Sequence, residues 1–179
     1  MADLPSTIAK LGRAQQVLLK AADAVPSSEW NAPPDRNSCF AAHLIAHLCQ
    51  VERGMLSYAD RVIRKAPSRV PWIKRFRFPV AMVESRRLER KTPLPLDLEL
   101  LGEKETMLAE IRGVRERTLE FLEETHGRNL SVYYWRHPFL GNLNFYDWFA
   151  FLASHQICHT VQLVEISKNL PNRVVSSQN

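Results

Sequence analysis

Apolar residues recur every three or four positions along four long stretches of this chain, and that helical period constrains the fold more than any other feature. Glycine is scarce, and alternating β-branched segments are nearly absent. The first stretch runs from about Leu4 to Ala24. Pro5 suits its first turn, and Ile8, Leu11, Leu18 and Leu19 form its apolar side. Pro26, Pro33 and Pro34 then mark a loop. The second stretch runs from about Ser38 to Lys65, with Asn37 or Ser38 as N-cap candidates. Phe40, Leu44, His47, Leu48, Val51 and Met55 share one side of it. The third runs from about Leu98 to His126 on Met107, Leu108, Ile111, Val114, Leu119 and Leu122. His126-Gly127 reads as its stop, since glycine readily takes the left-handed position after a helix. The segment HPFLGNLN reads as a turn. Asn144 can cap the fourth stretch, with Asp147 placed to suit the helix dipole. That stretch reaches about Leu170, and Pro171 follows it.

Between the second and third stretches, over about residues 67–97, the period breaks. Prolines and cations dominate there, with room for a short helix near Val80–Leu88. Four amphipathic helices with one long connection predict an all-α fold: an up-down four-helix bundle with a long crossover between helices two and three. A chain of 179 residues fits one such domain, spanning residues 1–179. Hydrophobic residues at 45% and charged residues at 24% are the balance of a soluble globular protein. No apolar run approaches the length that crosses a bilayer, so no membrane partner is expected. The N-terminal segment lacks the basic-then-apolar order of a signal peptide. Cys39, Cys49 and Cys158 have no CxxC spacing and read as reduced thiols. The expected location is cytoplasmic.

His155 and His159 lie four residues apart, so their imidazoles stack on one face of the fourth helix. Trp148, Leu152, Gln162 and Ile166 share that face. His43 and His47 repeat the spacing on the second helix, and His47 sits within its apolar stripe. A buried imidazole without a partner costs roughly 1–3 kcal/mol. Bundles build metal sites from side chains on facing helices, and the middles of these two helices can meet at one depth. Three imidazoles leaving a position for water or substrate make a catalytic type of site. Imidazole nitrogen suits zinc, nickel, copper and iron. A lone core histidine, by contrast, is ordinarily hydrogen-bonded to a carbonyl.

At these residues the chain resembles the DinB-like superfamily, also called the YfiT-like metal-dependent hydrolases. One element is His47-Leu48 with Glu52 five residues after the histidine. The other is a run close to HPxxGxLxxxxWxxFxxxHxxxHxxQ, carried by His137, Pro138, Gly141, Leu143, Trp148, Phe151, His155, His159 and Gln162. The resemblance implies a four-helix bundle, often dimeric. It implies that His47, His155 and His159 bind a divalent metal ion, zinc or nickel first. It also implies a metal-dependent enzyme that activates a low-molecular-weight thiol cosubstrate or water, as a thiol S-transferase or hydrolase acting on a small-molecule substrate. Related transferases and isomerases use bacillithiol, mycothiol or glutathione.

His43 departs from the family pattern. It is either a fourth ligand that closes the site or a residue outside the ligand set, and we read it as the second. Gln162 shares the His155 face and is either a hydrogen-bond partner of a ligand or bound water, or a satisfied core glutamine. Glu52 is about 140° round the helix from His47 and reads as a salt-bridge residue. His137 reads as a loop or capping residue. Cys49 and Cys158 face away from the neighbouring histidines.

The net charge is +5, and Arg61–Lys91 concentrates eleven cations against Glu84 and Glu89. Within it, WIKRFRFP places Lys74, Arg75 and Arg77 among aromatics. We read Trp72, Phe76 and Phe78 as anchors of the crossover, with the cations facing water. An anionic cosubstrate is the second reading. The alternative to an enzyme is a binding module using this basic region for an anionic partner or nucleic acid, and nucleic acid stands last.

Overall fold

The computed structural model describes residues 3–32, 40–67, 101–138 and 140–176, with side chains described as far as residue 168. The helices are α1 (Leu4–Asp23), α2 (Ala41–Ile63), α3 (Lys104–Glu124) and α4 (Phe145–Ser176). Two short strands, β1 (Tyr134–His137) and β2 (Gly141–Asn144), precede α4. The fold is therefore an all-α helical bundle carrying one small hairpin. No helix among the described residues is long and apolar enough to cross a membrane.

Local chemistry sets the helix ends. Ser6 N–H donates to Asp3 Oδ1 and Asp3 N–H donates to Ser6 Oγ, a reciprocal cap that opens α1 with Pro5 in its first turn. At the end of α3 the Thr125 hydroxyl donates to the Leu122 carbonyl at 2.6 Å. Gly127 then turns the chain with φ +80°, a region costly for other residues. Asn144 caps α4 as expected: Asp147 N–H donates to Asn144 Oδ1 at 2.9 Å.

Several boundaries differ from the expected ones. Helix α2 begins at Ala41, with Phe40 at its cap position and no side-chain cap bond; Asn37 and Ser38 lie outside the described residues. Helix α3 begins at Lys104 and not at Leu98. Helix α4 runs past Pro171 to Ser176. A proline deletes one N–H donor and leaves the bonds on either side of it available, so the helix passes through. The expected turn HPFLGNLN spans the last residue of the first strand, the connection and the second strand of an antiparallel hairpin, with Trp135 opposite Leu143 and His137 opposite Gly141. Gly141 enters the second strand at φ +77°. Most of the crossover, including Lys74, Arg75, Arg77 and the short helix at Val80–Leu88, lies outside the described residues.

Helices α1 and α2 stand diagonally, each packed against both α3 and α4. The buried core divides into two apolar clusters. One gathers Leu18, Val25, Trp30, Leu44, Ile45, Leu108, Ile111 and Leu163. The other gathers Leu11, Met55, Leu122, Trp135, Phe145, Phe149 and Leu152. Chain direction follows from these memberships: α2 and α3 pass from the first cluster to the second, while α1 and α4 pass the other way. Two links agree. Lys104 Nζ at the start of α3 donates to the Asp23 and Val25 carbonyls at the end of α1. Arg128, just beyond α3, donates to the Ile63 carbonyl at the end of α2. The order is up, down, down, up. The long crossover expected between helices two and three returns the chain to the starting end, and this makes α2 and α3 parallel.

Candidate metal centre

The two apolar clusters leave a polar layer between them, and the histidines lie at this level. His47 comes from α2, and His155 and His159 from α4. One nitrogen of each lies within 4.8 Å of the others. The His155 and His159 Nε2 atoms are 3.1 Å apart. The His47 ring centroid is 5.2 Å from that of His155 and 5.1 Å from that of His159. Around a tetrahedral ion with metal–nitrogen bonds near 2.05 Å, neighbouring nitrogens are separated by roughly 3.3 Å. The α4 pair is close to that spacing, and the His47 nitrogen lies within 4.8 Å of both.

Two further observations fit an ion. His47 is buried, and its Nε2 has no hydrogen-bond partner among the described residues. Gln162 Oε1 lies 2.6 Å from His159 Nδ1. An amide oxygen only accepts, so Nδ1 carries the proton and Nε2 presents its lone pair to the centre. Burial, with the charges of His159 and His43 adding, pushes His47 down to about 4. Burial likewise holds His155 well below the usual imidazole range. Both are neutral at neutral pH, the form that ligates.

The hairpin braces this site from one end. Trp148 stacks on Trp135 at 5.2 Å and donates from Nε1 to the Trp135 carbonyl. His137 packs against Trp148 at 4.9 Å and Phe151 at 4.4 Å. Phe151 in turn stacks on His155 at 5.5 Å. His137 is therefore a buried strand residue and not a loop residue, although its Nδ1 does accept from Leu140 N–H at the hairpin turn. Burial pushes its pKa down to about 4.

The remaining candidates separate clearly. His43 lies outside the converging group and sets its ring edge-on to Phe40 at 5.6 Å. Glu52 faces away from the histidines into a buried ion pair, with Arg115 Nε 2.9 Å from Glu52 Oε1. Burial pushes the Glu52 carboxyl up while Arg115 pulls it back. Cys49 is buried, and burial first of all pushes its thiol up to about 12, which keeps it protonated and a poor ligand. Cys158 is outside the converging group as well.

Sequence reasoning missed the rest of the polar layer. Arg115 Nη2 donates to Glu52 Oε2 and to Gln156 Oε1, each at 2.9 Å. Gln156 Nε2 donates to Gln15 Oε1, and Gln15 Nε2 to the Ile111 carbonyl. One side chain from each helix thus joins a single buried chain of hydrogen bonds. A signal was present: Gln15, Arg115 and Gln156 each occupy an apolar-stripe position, four residues after Leu11, Ile111 and Leu152.

The model of the DinB superfamily matches residues 10–163. The chain belongs to the DinB superfamily. No curated protein and no solved structure matches it. The DinB pattern read from the sequence now divides by role. His47, His155 and His159 converge, Gln162 backs His159, His137 and Trp148 brace the helix, and Glu52 belongs to the buried ion pair. In this DinB chain the three converging histidines are able to hold a metal ion.

Proposed function

We propose that the chain is a metal-dependent enzyme whose centre is His47, His155 and His159, with a coordination position left for a thiol or water. The observation that carries this reading is the convergence of three imidazoles, with one nitrogen of each within 4.8 Å of the others and a buried, unpartnered Nε2 on His47. A divalent ion, zinc or nickel, would supply Lewis acidity and lower the pKa of a bound thiol or water. The chain's own residues hold that ion and set its surroundings. Gln162 keeps the His159 proton on Nδ1. Phe151 covers one face of His155. His155 and His159 are only partly buried, unlike His47. The reaction class is S-transfer from a low-molecular-weight thiol, or hydrolysis, on a small-molecule substrate. The same reading takes residues 1–179 as one domain, working as a cytoplasmic homodimer.

Elemental analysis of the untagged protein, beside His47→Ala and His159→Ala, tests the centre. Near-stoichiometric zinc or nickel in the wild type and its loss in both variants is the expected result. Undiminished metal in His159→Ala, or none in the wild type after incubation with zinc, nickel and manganese, would overturn it. Light scattering of the same samples tests the dimer.

A further inference from the structure

We propose that Arg115, on a helix that contributes no ligand, positions the two halves of the metal centre by setting the spacing of α2 and α4. This inference rests on the metal-centre reading above. His47 stands on α2, and His155 and His159 on α4, so the gap between those helices decides whether the three nitrogens can share an ion. These two helices meet less extensively than α1 and α4 do; beside the edge-on contacts of His47 with His155 and His159, a buried polar link joins them through α3. Arg115 Nη2 donates to Glu52 Oε2 on α2 and to Gln156 Oε1 on α4, both at 2.9 Å. Gln156 is the residue after His155, and Glu52 lies five residues after His47. One nitrogen atom on α3 therefore clamps both ligand-bearing helices close to their ligands.

The guanidinium is held in a fixed orientation. Its Nε lies 2.9 Å from Glu52 Oε1, an ion-pair contact beside the Nη2 hydrogen bond to Oε2. Arg115 and Glu52 are each 2% exposed, so neither can be exchanged for water. Gln156 is fastened from its other side by Gln15 on α1. A buried ion pair adds little net stability compared with apolar residues of the same volume. What it supplies is direction and distance, and a three-nitrogen centre is sensitive to both. Arg115 is a positioning residue: it touches neither the imidazoles nor anything bound to them.

Cobalt(II) titration of the full chain tests this, with affinity and the visible absorption spectrum as readouts, because the spectrum reports coordination geometry and needs no substrate. Gln156→Met removes the α4 end of the clamp and leaves the Arg115–Glu52 pair intact, so it is the variant least exposed to unfolding. The double variant Arg115→Met/Glu52→Leu removes the clamp without stranding a charge. Lys104→Met, which cuts a buried link between α3 and α1 away from the histidines, is the control. The expected result is that both clamp variants keep their helical circular dichroism, bind cobalt about tenfold more weakly or worse, and show an altered spectrum. Lys104→Met should keep wild-type affinity and spectrum. Folded clamp variants with wild-type affinity and spectrum overturn the proposal, and so does an equal loss in Lys104→Met, which would mean general loosening. Failure of the wild type to bind cobalt is a separate outcome that overturns the metal centre itself, and the clamp's role with it.

Discussion

A histidine can offer an ion only the nitrogen that its other hydrogen bond leaves bare. Gln162 makes that choice for His159, through a contact one helical turn long. Gln162→Leu should lower metal affinity about tenfold, measured by calorimetric titration with zinc; unchanged affinity would reduce Gln162 to a packing residue. His137 carries a different prediction. Its folded pKa is about 4, against 6.5 when exposed. Between those values the unfolded chain binds a proton that the folded chain does not. Its contribution to stability is therefore complete above about pH 6.5 and is lost as pH falls toward 4. Urea unfolding of metal-free protein at pH 7.5 and 5 should show that loss, and His137→Phe should show a smaller one. The spacing of His155 and His159 revealed their shared face directly. The burial of His137 was not legible, because a histidine before a proline is also what a loop looks like.

Helix ends follow short-range chemistry, and there the sequence is informative. Asn144 was recognisable as a cap from its place before an apolar run with Asp147 three residues on. Replacing it by alanine should cost about 1 kcal/mol, measured as a shift in the urea midpoint at unchanged slope; a neutral result would mean that the hairpin and not the cap starts α4. The hairpin itself escaped notice because each strand has four residues. Two buried positions on β1, Trp135 and His137, are too few to separate alternation from chance. Helix α4 continuing past Pro171 shows the complementary limit: a proline's missing donor is a local penalty, and the remaining length of a helix can outweigh it.

At the scale of the molecule, the division into two apolar clusters with a polar layer between them organises both stability and the site. Arg115→Met alone leaves Glu52 buried without its counter-charge and should cost about 3–5 kcal/mol. The double variant Arg115→Met/Glu52→Leu should recover most of that, because it removes the stranded charge. Urea unfolding of wild type, both singles and the double closes the cycle; a double as damaged as the single would mean that the pair is needed for folding itself. The parallel course of α2 and α3 also belongs to this scale. It requires a connection long enough to return the chain, and the stretch between Ile63 and Lys104 is that connection.

The sequence by itself determined what repeats along the chain. It carried the four amphipathic helices, the long break between the second and third, the caps at Asn144 and around Gly127, and the motif whose histidines mark a DinB-superfamily member. These depend on neighbours within a turn or two, and helical geometry is the same wherever the helix sits. Tertiary structure alone decided the up-down-down-up order, the convergence of His47 with His155 and His159, the separate station of His43, and the selection of Arg115 as the partner of Glu52. Each depends on which helices stand side by side and at what height. Many apolar stripes can pack against one another with similar energy, whereas a buried carboxylate, a guanidinium and two amides satisfy one another in very few arrangements.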